Sequence, residues 1–187
     1  MPASGSGSLN DNYVVTADTT LTGSGQFAGN TLRIEGTSAN QTLNLGGRNW
    51  NGAGAILMDG EQNFTVSNYS NLTPGSGVIV MGPGKLTLNG TKTSGDLEKW
   101  GPGLLEVTGS HIASSGATWI WGGIYRAASA NALCAGVLNM ADGVLELGYN
   151  FTRALGSSSG QIRAREDAYG TAQGASIGFS AYGGART

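Results

Sequence analysis

One histidine, His111, and one cysteine, Cys134, are the only residues of their kinds in this chain of 187 residues. A nucleophile-histidine-acid arrangement needs the histidine held against a nucleophile on a sharp strand-turn-helix elbow. The stretch TGSHIASSG around His111 offers no such context, so His111 reads as a solvated loop residue. One His and one Cys also fall short of the three or four ligands of a zinc site. Cys134 has no partner for an intrachain disulfide and reads as a small buried side chain. Carboxylates are the more serious chemistry, because two acids about 5–9 Å apart can act as general acid and base on a glycosidic bond. Asp59 with Glu61, Asp96 with Glu98, and Glu166 with Asp167 are close enough in sequence to be considered, and each reads as an exposed turn pair. Asp142, in ADGV, reads as a turn residue, since no Gly-Gly-x-Gly-x-Asp calcium repeat surrounds it. The last candidates are aromatic. In TWIWGG, alternation puts Trp119 and Trp121 on one face and Ile120 on the other, so an inward Ile120 leaves both indoles facing water. With Trp100 they form the candidate ligand-binding set, because large amphipathic rings on a sheet suit sugar stacking or protein contact.

The elements that must position these residues repeat. GPGKLTLNG, from Gly82 to Gly90, recurs nineteen positions later as GPGLLEVTG, with Pro83 matching Pro102, Leu86 matching Leu105 and Leu88 matching Val107. Within each copy apolar and polar residues alternate, the mark of a strand with one buried and one wet face. Glycine and proline punctuate both ends as turn formers. The same template fits short strands over residues 13–17, 31–36, 42–47, 55–60, 64–68, 78–82, 118–123, 137–143, 144–148, 161–165 and 175–184. No stretch sustains a 3.6-residue apolar period of helical length; YRAASANALCAG reads as a loop or a single turn. Well over a dozen strands of three to five residues at a steady period fit a solenoid better than a sandwich. At a working period of about 22 residues the chain makes roughly eight coils and a rod of about 40 Å, given the ~4.8 Å strand spacing. Residues 1–28 then hold a Gly/Ser-rich lead-in and the first coil, and residues 29–187 are continuous coils, read as a fragment of a longer protein.

Composition excludes several partners. Glycine accounts for 33 residues, charged residues for only 12 %, and the net charge is −2. Ten scattered Lys and Arg residues make no basic footprint for nucleic acid, nor a polybasic membrane anchor. No run approaches the ~18 apolar residues of a membrane helix, and MPASGSGSLN lacks the basic start and apolar core of a secretory signal. If the protein is exported, its signal is expected outside this sequence. Six Asn-x-Ser/Thr matches, Asn63 and Asn89 among them, follow from strand-turn composition.

The stretch from Leu97 to Gly148 resembles the autotransporter-associated β-strand repeat of bacterial surface proteins. The carrying elements are Lys99 to Gly109 (the Lys-x-Gly-x-Gly-x-Leu-x-Leu-x-Gly-like strand), Gly116 to Trp121, Gly122 to Ala127, the SANAL segment Ser129 to Leu133, and Gly143 to Gly148. GFSAYGGART, from Gly178 to Thr187, resembles a further element of long proteins carrying these repeats. The likeness is good over 97–187 and weaker over 29–96. It departs at Trp100, Trp119 and Trp121, where the family more often has small or polar residues, and at AREDAYGTAQGAS, which reads as an insertion. The resemblance implies a right-handed parallel β-helix serving as an extracellular stalk, passenger or adhesive fibre at a bacterial cell surface, with no catalytic set.

The expectation is therefore an all-β, right-handed parallel β-helix of roughly eight short coils, non-enzymatic, structural or adhesive, without cofactor or metal. A carbohydrate-binding or polysaccharide-degrading protein on the same scaffold is the competing expectation. A solenoid with no helical or charged cap exposes unpaired backbone at its ends, so self-association, head to tail or lateral, is the expected partnership. A glycan or host-surface ligand at the tryptophans is the further one.

Overall fold

A computed structural model describes residues 8–23, 25–52, 54–74, 77–112, 116–165 and 176–185. It is a parallel β-solenoid built winding by winding. The first winding holds β1 (Asn12–Val15), β2 (Thr19–Thr20) and β3 (Gln26–Gly29); the second β4 (Thr31–Ile34), β5 (Gln41–Asn44) and β6 (Asn49–Gly52); the third β7 (Ile56–Met58), β8 (Phe64–Ser67) and β9 (Asn71–Pro74). Five windings of two strands follow: β10 (Val78–Val80) and β11 (Lys85–Asn89), β12 (Leu97–Trp100) and β13 (Leu104–Val107), β14 (Thr118–Ile120) and β15 (Ile124–Ala127), β16 (Leu138–Met140) and β17 (Asp142–Leu147), and β18 (Ile162–Ala164) and β19 (Ser176–Ala181). Of YRAASANALCAG, expected as a loop or a single turn, Tyr125–Ala127 belong to β15 and only the part beyond them is loop, with a 3₁₀ turn at Ala130–Ala132.

The strands stack into three parallel sheets. Sheet 1 runs β1-β4-β7-β10-β12-β14-β16-β18, sheet 2 runs from β2 through β5, β8, β11, β13, β15 and β17 to β19, and sheet 3 contains only β3-β6-β9. Eight strands in each long sheet make seven full turns between first and last, in agreement with the roughly eight coils read from the sequence. The repeated line is one such pair: β11 and β13 lie side by side with Leu86 opposite Leu105 and Leu88 opposite Val107. Inward residues form vertical files, as in Tyr13-Leu32-Ile56-Val78-Lys99-Ile120-Met140 of sheet 1. These side chains are buried, and the alternation that places them is the two-residue strand period.

The glycine-proline-glycine corners turn the chain from sheet 1 to sheet 2, and their stacking explains why the phrase recurs. Gly101 has φ of +79°, and a Cβ there would lie 2.5 Å from the Val80 carbonyl oxygen of the winding before. Only glycine fits both the left-handed conformation and that approach. Two corners use asparagine instead, Asn40 at φ 60° and Asn68 at φ 52°; asparagine tolerates this region better than other residues with a Cβ.

Four expectations need correction or addition. Sheet 3 escapes the sequence reading, because QFAG, NWNG and NLTP carry one inward apolar residue each, Phe27, Trp50 and Leu72, among residues poor in β-propensity. β12, in LEKW, hides a lysine at an inward position. Asp142 opens β17 rather than sitting in a turn. His111 is not solvated: it is fully buried.

Candidate functional site

On the outer face of sheet 1 the alternation delivers the three tryptophans together. Ile120 points inward and is 1 % exposed, while Trp100, Trp119 and Trp121 are half-buried on the outside. Trp100 and Trp121 stack with ring centroids 4.9 Å apart and planes at 20°, and Trp121 and Trp119 stack at 5.2 Å and 9°. The Arg165 guanidinium lies 5.2 Å from the Trp119 ring centroid. Trp121 thus stacks with both other indoles, and Trp119 contacts both an indole and a cation. The three rings form one continuous contact set with Arg165 on the outer face of sheet 1.

Two candidate sets that looked separate in the sequence meet here. Asp96 just precedes β12 and is exposed, but Glu98 is a half-buried residue within β12 rather than part of an exposed turn pair, and it stands opposite Trp119 in the β12–β14 pairing. Glu98 Oε2 accepts from Trp100 Nε1 and Trp121 Nε1, each at 3.2 Å, and Asp96 Oδ2 accepts from Trp119 Nε1 at 2.9 Å. Asp96 Oδ1 also accepts from the Ala117 backbone amide at 2.8 Å. The three indole donors are therefore satisfied by two carboxylates, which fixes the ring orientations. The pair works here as a hydrogen-bond anchor for three rings.

The other acids are placed differently. Asp59 is bound by Arg33 at 3.1 Å, one winding earlier, and both are exposed, as is Glu61. Glu166 and Asp167 lie outside the described residues. Among the described residues no group of three or more His, Cys, Asp or Glu side chains is placed to hold a metal ion.

Sheet 2 carries a second ladder that sequence reasoning missed. Thr87, Glu106, Arg126, Glu146 and Ser180 follow one another in register on its outer face. Glu106 pairs with Lys85 and with Arg126, the latter at 3.4 Å, and Arg126 pairs in turn with Glu146. Burial alone would raise the Glu106 carboxyl pKa, but hydrogen bonds and charge from Lys85 and Arg126 hold it below the ordinary value. The signal was present as one alternating charge per repeat, but it becomes visible only once the strand register is known.

The interior of the later windings also holds polar side chains among its apolar files. Tyr69 Oη and His111 Nε2 are 2.7 Å apart across two windings, and Gly90, between them, leaves room for the Tyr69 ring, which a Cβ would meet at 2.6 Å. His111 Nδ1 has no partner among the described residues. Burial first, and the nearby Lys92 charge second, lower the His111 pKa to about 3, so it is neutral across the physiological range. Lys92 Nζ donates to the Leu72 and Ser94 carbonyls, both at 2.7 Å. Lys99 Nζ donates to the carbonyls of Trp100, Gly101 and Gly122 at 2.8, 2.6 and 3.1 Å. Burial lowers the Lys99 pKa to about 8. Cys134 is buried, as expected, and burial raises its thiol pKa. These groups are buried, and the two lysines brace backbone carbonyls of neighbouring windings.

Comparison of the chain with protein-family models, with curated proteins and with solved structures finds no match.

Proposed function

We propose that this chain is a non-enzymatic structural segment, a stalk or adhesive fibre, of a bacterial surface or secreted protein. One observation carries the reading: on both long sheets, outward side chains form ladders of bonds between successive windings. The indole-carboxylate ladder ties β12 to β14, and the Lys85-Glu106-Arg126-Glu146 ladder ties β11 through β17. Cross-strand pairs of this kind stabilise a sheet by about 0.2–1 kcal/mol each, and in series they stiffen a rod along its axis. The resemblance of residues 97–148 to the autotransporter-associated repeat supports the same reading and supplies the bacterial surface as location.

The test is a glycan array and a polysaccharide-degradation assay on the intact chain, with Trp119→Ala and Asp59→Asn variants alongside. Neither turnover nor specific glycan retention is expected. Turnover abolished by Asp59→Asn, or glycan retention abolished by Trp119→Ala, would overturn the structural reading in favour of a carbohydrate-active protein on the same scaffold.

A further inference from the structure

Among the described residues, the lysines and arginines divide into two groups. Lys92, Lys99, Arg48 and Arg153 donate to backbone carbonyl oxygens, and Arg33, Lys85 and Arg126 pair with carboxylates. Arg163 and Arg165 do neither. One lies within β18 and the other just after it, two positions apart, so both leave the outer face of sheet 1 from Cα atoms about 6.5–7 Å apart. Arg163 is exposed, and the Arg165 guanidinium rests on the Trp119 ring, a contact that holds the charge in place without neutralising it. Asp96 and Glu98, the carboxylates beside that ring, are spent on the three indoles.

A third donor stands in the same place. Asn139 lies between Trp119 and Arg163 in the register of sheet 1, at an outward position. To reach Trp119 from winding eight, Arg165 spans winding seven, and the outward residues there are buried, Asn139 being 2 % exposed and Ala141 6 %. Asn139 Nδ2 has no hydrogen-bond partner among the described residues. A buried amide without an acceptor is uncommon in a folded protein, because its desolvation goes uncompensated. Nor does the site owe its form to an open end of the strand stack. On the far side of β18 the chain's own loop is paired, the Ile162 amide donating to the Ala154 carbonyl and the Gly156 amide to the Ile162 carbonyl, each at 2.9 Å.

From these features we propose that Arg163, Arg165 and Asn139 form a binding site for the terminal phosphate of a phosphomonoester. Two guanidinium forks bring two charges and paired donors, the arrangement that matches phosphate oxygens. A phosphomonoester carries close to two negative charges and three acceptor oxygens, so one group satisfies both arginines and the orphaned amide. A carboxylate brings one charge and two oxygens, which leaves one arginine unmatched. The site lies on the outer face of a sheet, where the phosphate can be carried by a larger molecule. The inference deepens the adhesive reading of the chain by naming the group that is held, and rests on that reading only for its setting.

The probes are inorganic phosphate and methyl phosphate, titrated into the intact chain at constant ionic strength while tryptophan emission is followed. Because Arg165 sits on Trp119, binding that draws the guanidinium toward the ligand should change that emission saturably with either probe. Arg163→Gln and Arg165→Gln should each weaken binding about tenfold or more, and Asn139→Ala should weaken it less, all with an unchanged far-ultraviolet circular dichroism spectrum. Isothermal titration calorimetry gives a second reading, since Arg165→Gln also removes the cation beside the reporter ring. The absence of a saturable response to phosphate, full affinity in the Arg163→Gln, Arg165→Gln double variant, or acetate bound as tightly as phosphate overturns the proposal. A response to inorganic phosphate alone overturns the phosphomonoester as ligand. None of these probes carries a sugar, so a failure here is distinguishable from a failure in the glycan assays that test the structural function.

Discussion

Windings one to three and windings four to eight solve the same problem with different materials. Both halves share sheets 1 and 2, but the early windings close their third side with a strand and the later ones with loops. Behind sheet 3 lies an apolar stack, Phe27, Trp50 and Leu72, with Phe27 and Trp50 rings 5.1 Å apart. Where the third strand is lost, Lys92 reaches back to the Leu72 carbonyl and Tyr69 meets His111. A strand satisfies its backbone on its neighbours, whereas a loop leaves carbonyls that need another donor. Lys92 supplies such a donor there, and Lys99 does the same at the corner between sheets 1 and 2. The early half should therefore fail when packing is removed, and the later half when protonation is changed.

The largest effect expected lies in acid. Between pH 6.5 and about 3 the unfolded chain takes up a proton on His111 that the folded chain refuses, so stability falls as pH drops through this window, by up to about 4–5 kcal/mol. His111→Gln should flatten the slope between pH 6.5 and 5, above the range where carboxylates titrate. Hydrogen exchange should show the loops of windings four to six opening first, and an unchanged slope in the variant would assign the acid sensitivity elsewhere.

Next comes Trp50→Ala, which removes a ring 1 % exposed from the middle of the apolar stack. A loss of about 3–5 kcal/mol is expected in urea denaturation, with no change in the pH dependence. A pH-dependent loss would blur the distinction between the halves.

Raising the pH should help the later half. The folded pKa of Lys99 is lowered to about 8, so between pH 8 and 9.5 the unfolded chain holds a proton the folded chain releases, and stability rises by about 1.5 kcal/mol. Lys92, also lowered by burial, adds in the same direction. Lys99→Met should remove most of the rise. Above pH 10 the trend should reverse, because burial raises the pKa of Tyr69 and Tyr125 and only the unfolded chain ionises them readily.

The smallest change is expected at the outer ladder. Glu106→Gln should cost about 1 kcal/mol, lessened by salt, since both its partners keep some contact with water. A null result would place the stiffness of sheet 2 in its backbone pairing alone.

The sequence by itself determined the winding. Alternation of Leu, Ile and Val with polar residues, broken by glycine corners every twenty or so positions, leaves few ways to bury the apolar side except in stacked coils, and the strands named from that pattern are in place. It also put Trp119 and Trp121 outside, because their side follows from Ile120 by parity alone. Tertiary structure decided which residues of different windings meet. Stacking of Trp121 with Trp100 and Trp119, the anchoring of all three by Asp96 and Glu98, the burial of His111 against Tyr69 and the reach of Lys99 to the Gly122 carbonyl each depend on register between coils of unequal length. A local pattern fixes which face a side chain occupies; only the closed tube fixes what lies above and below it.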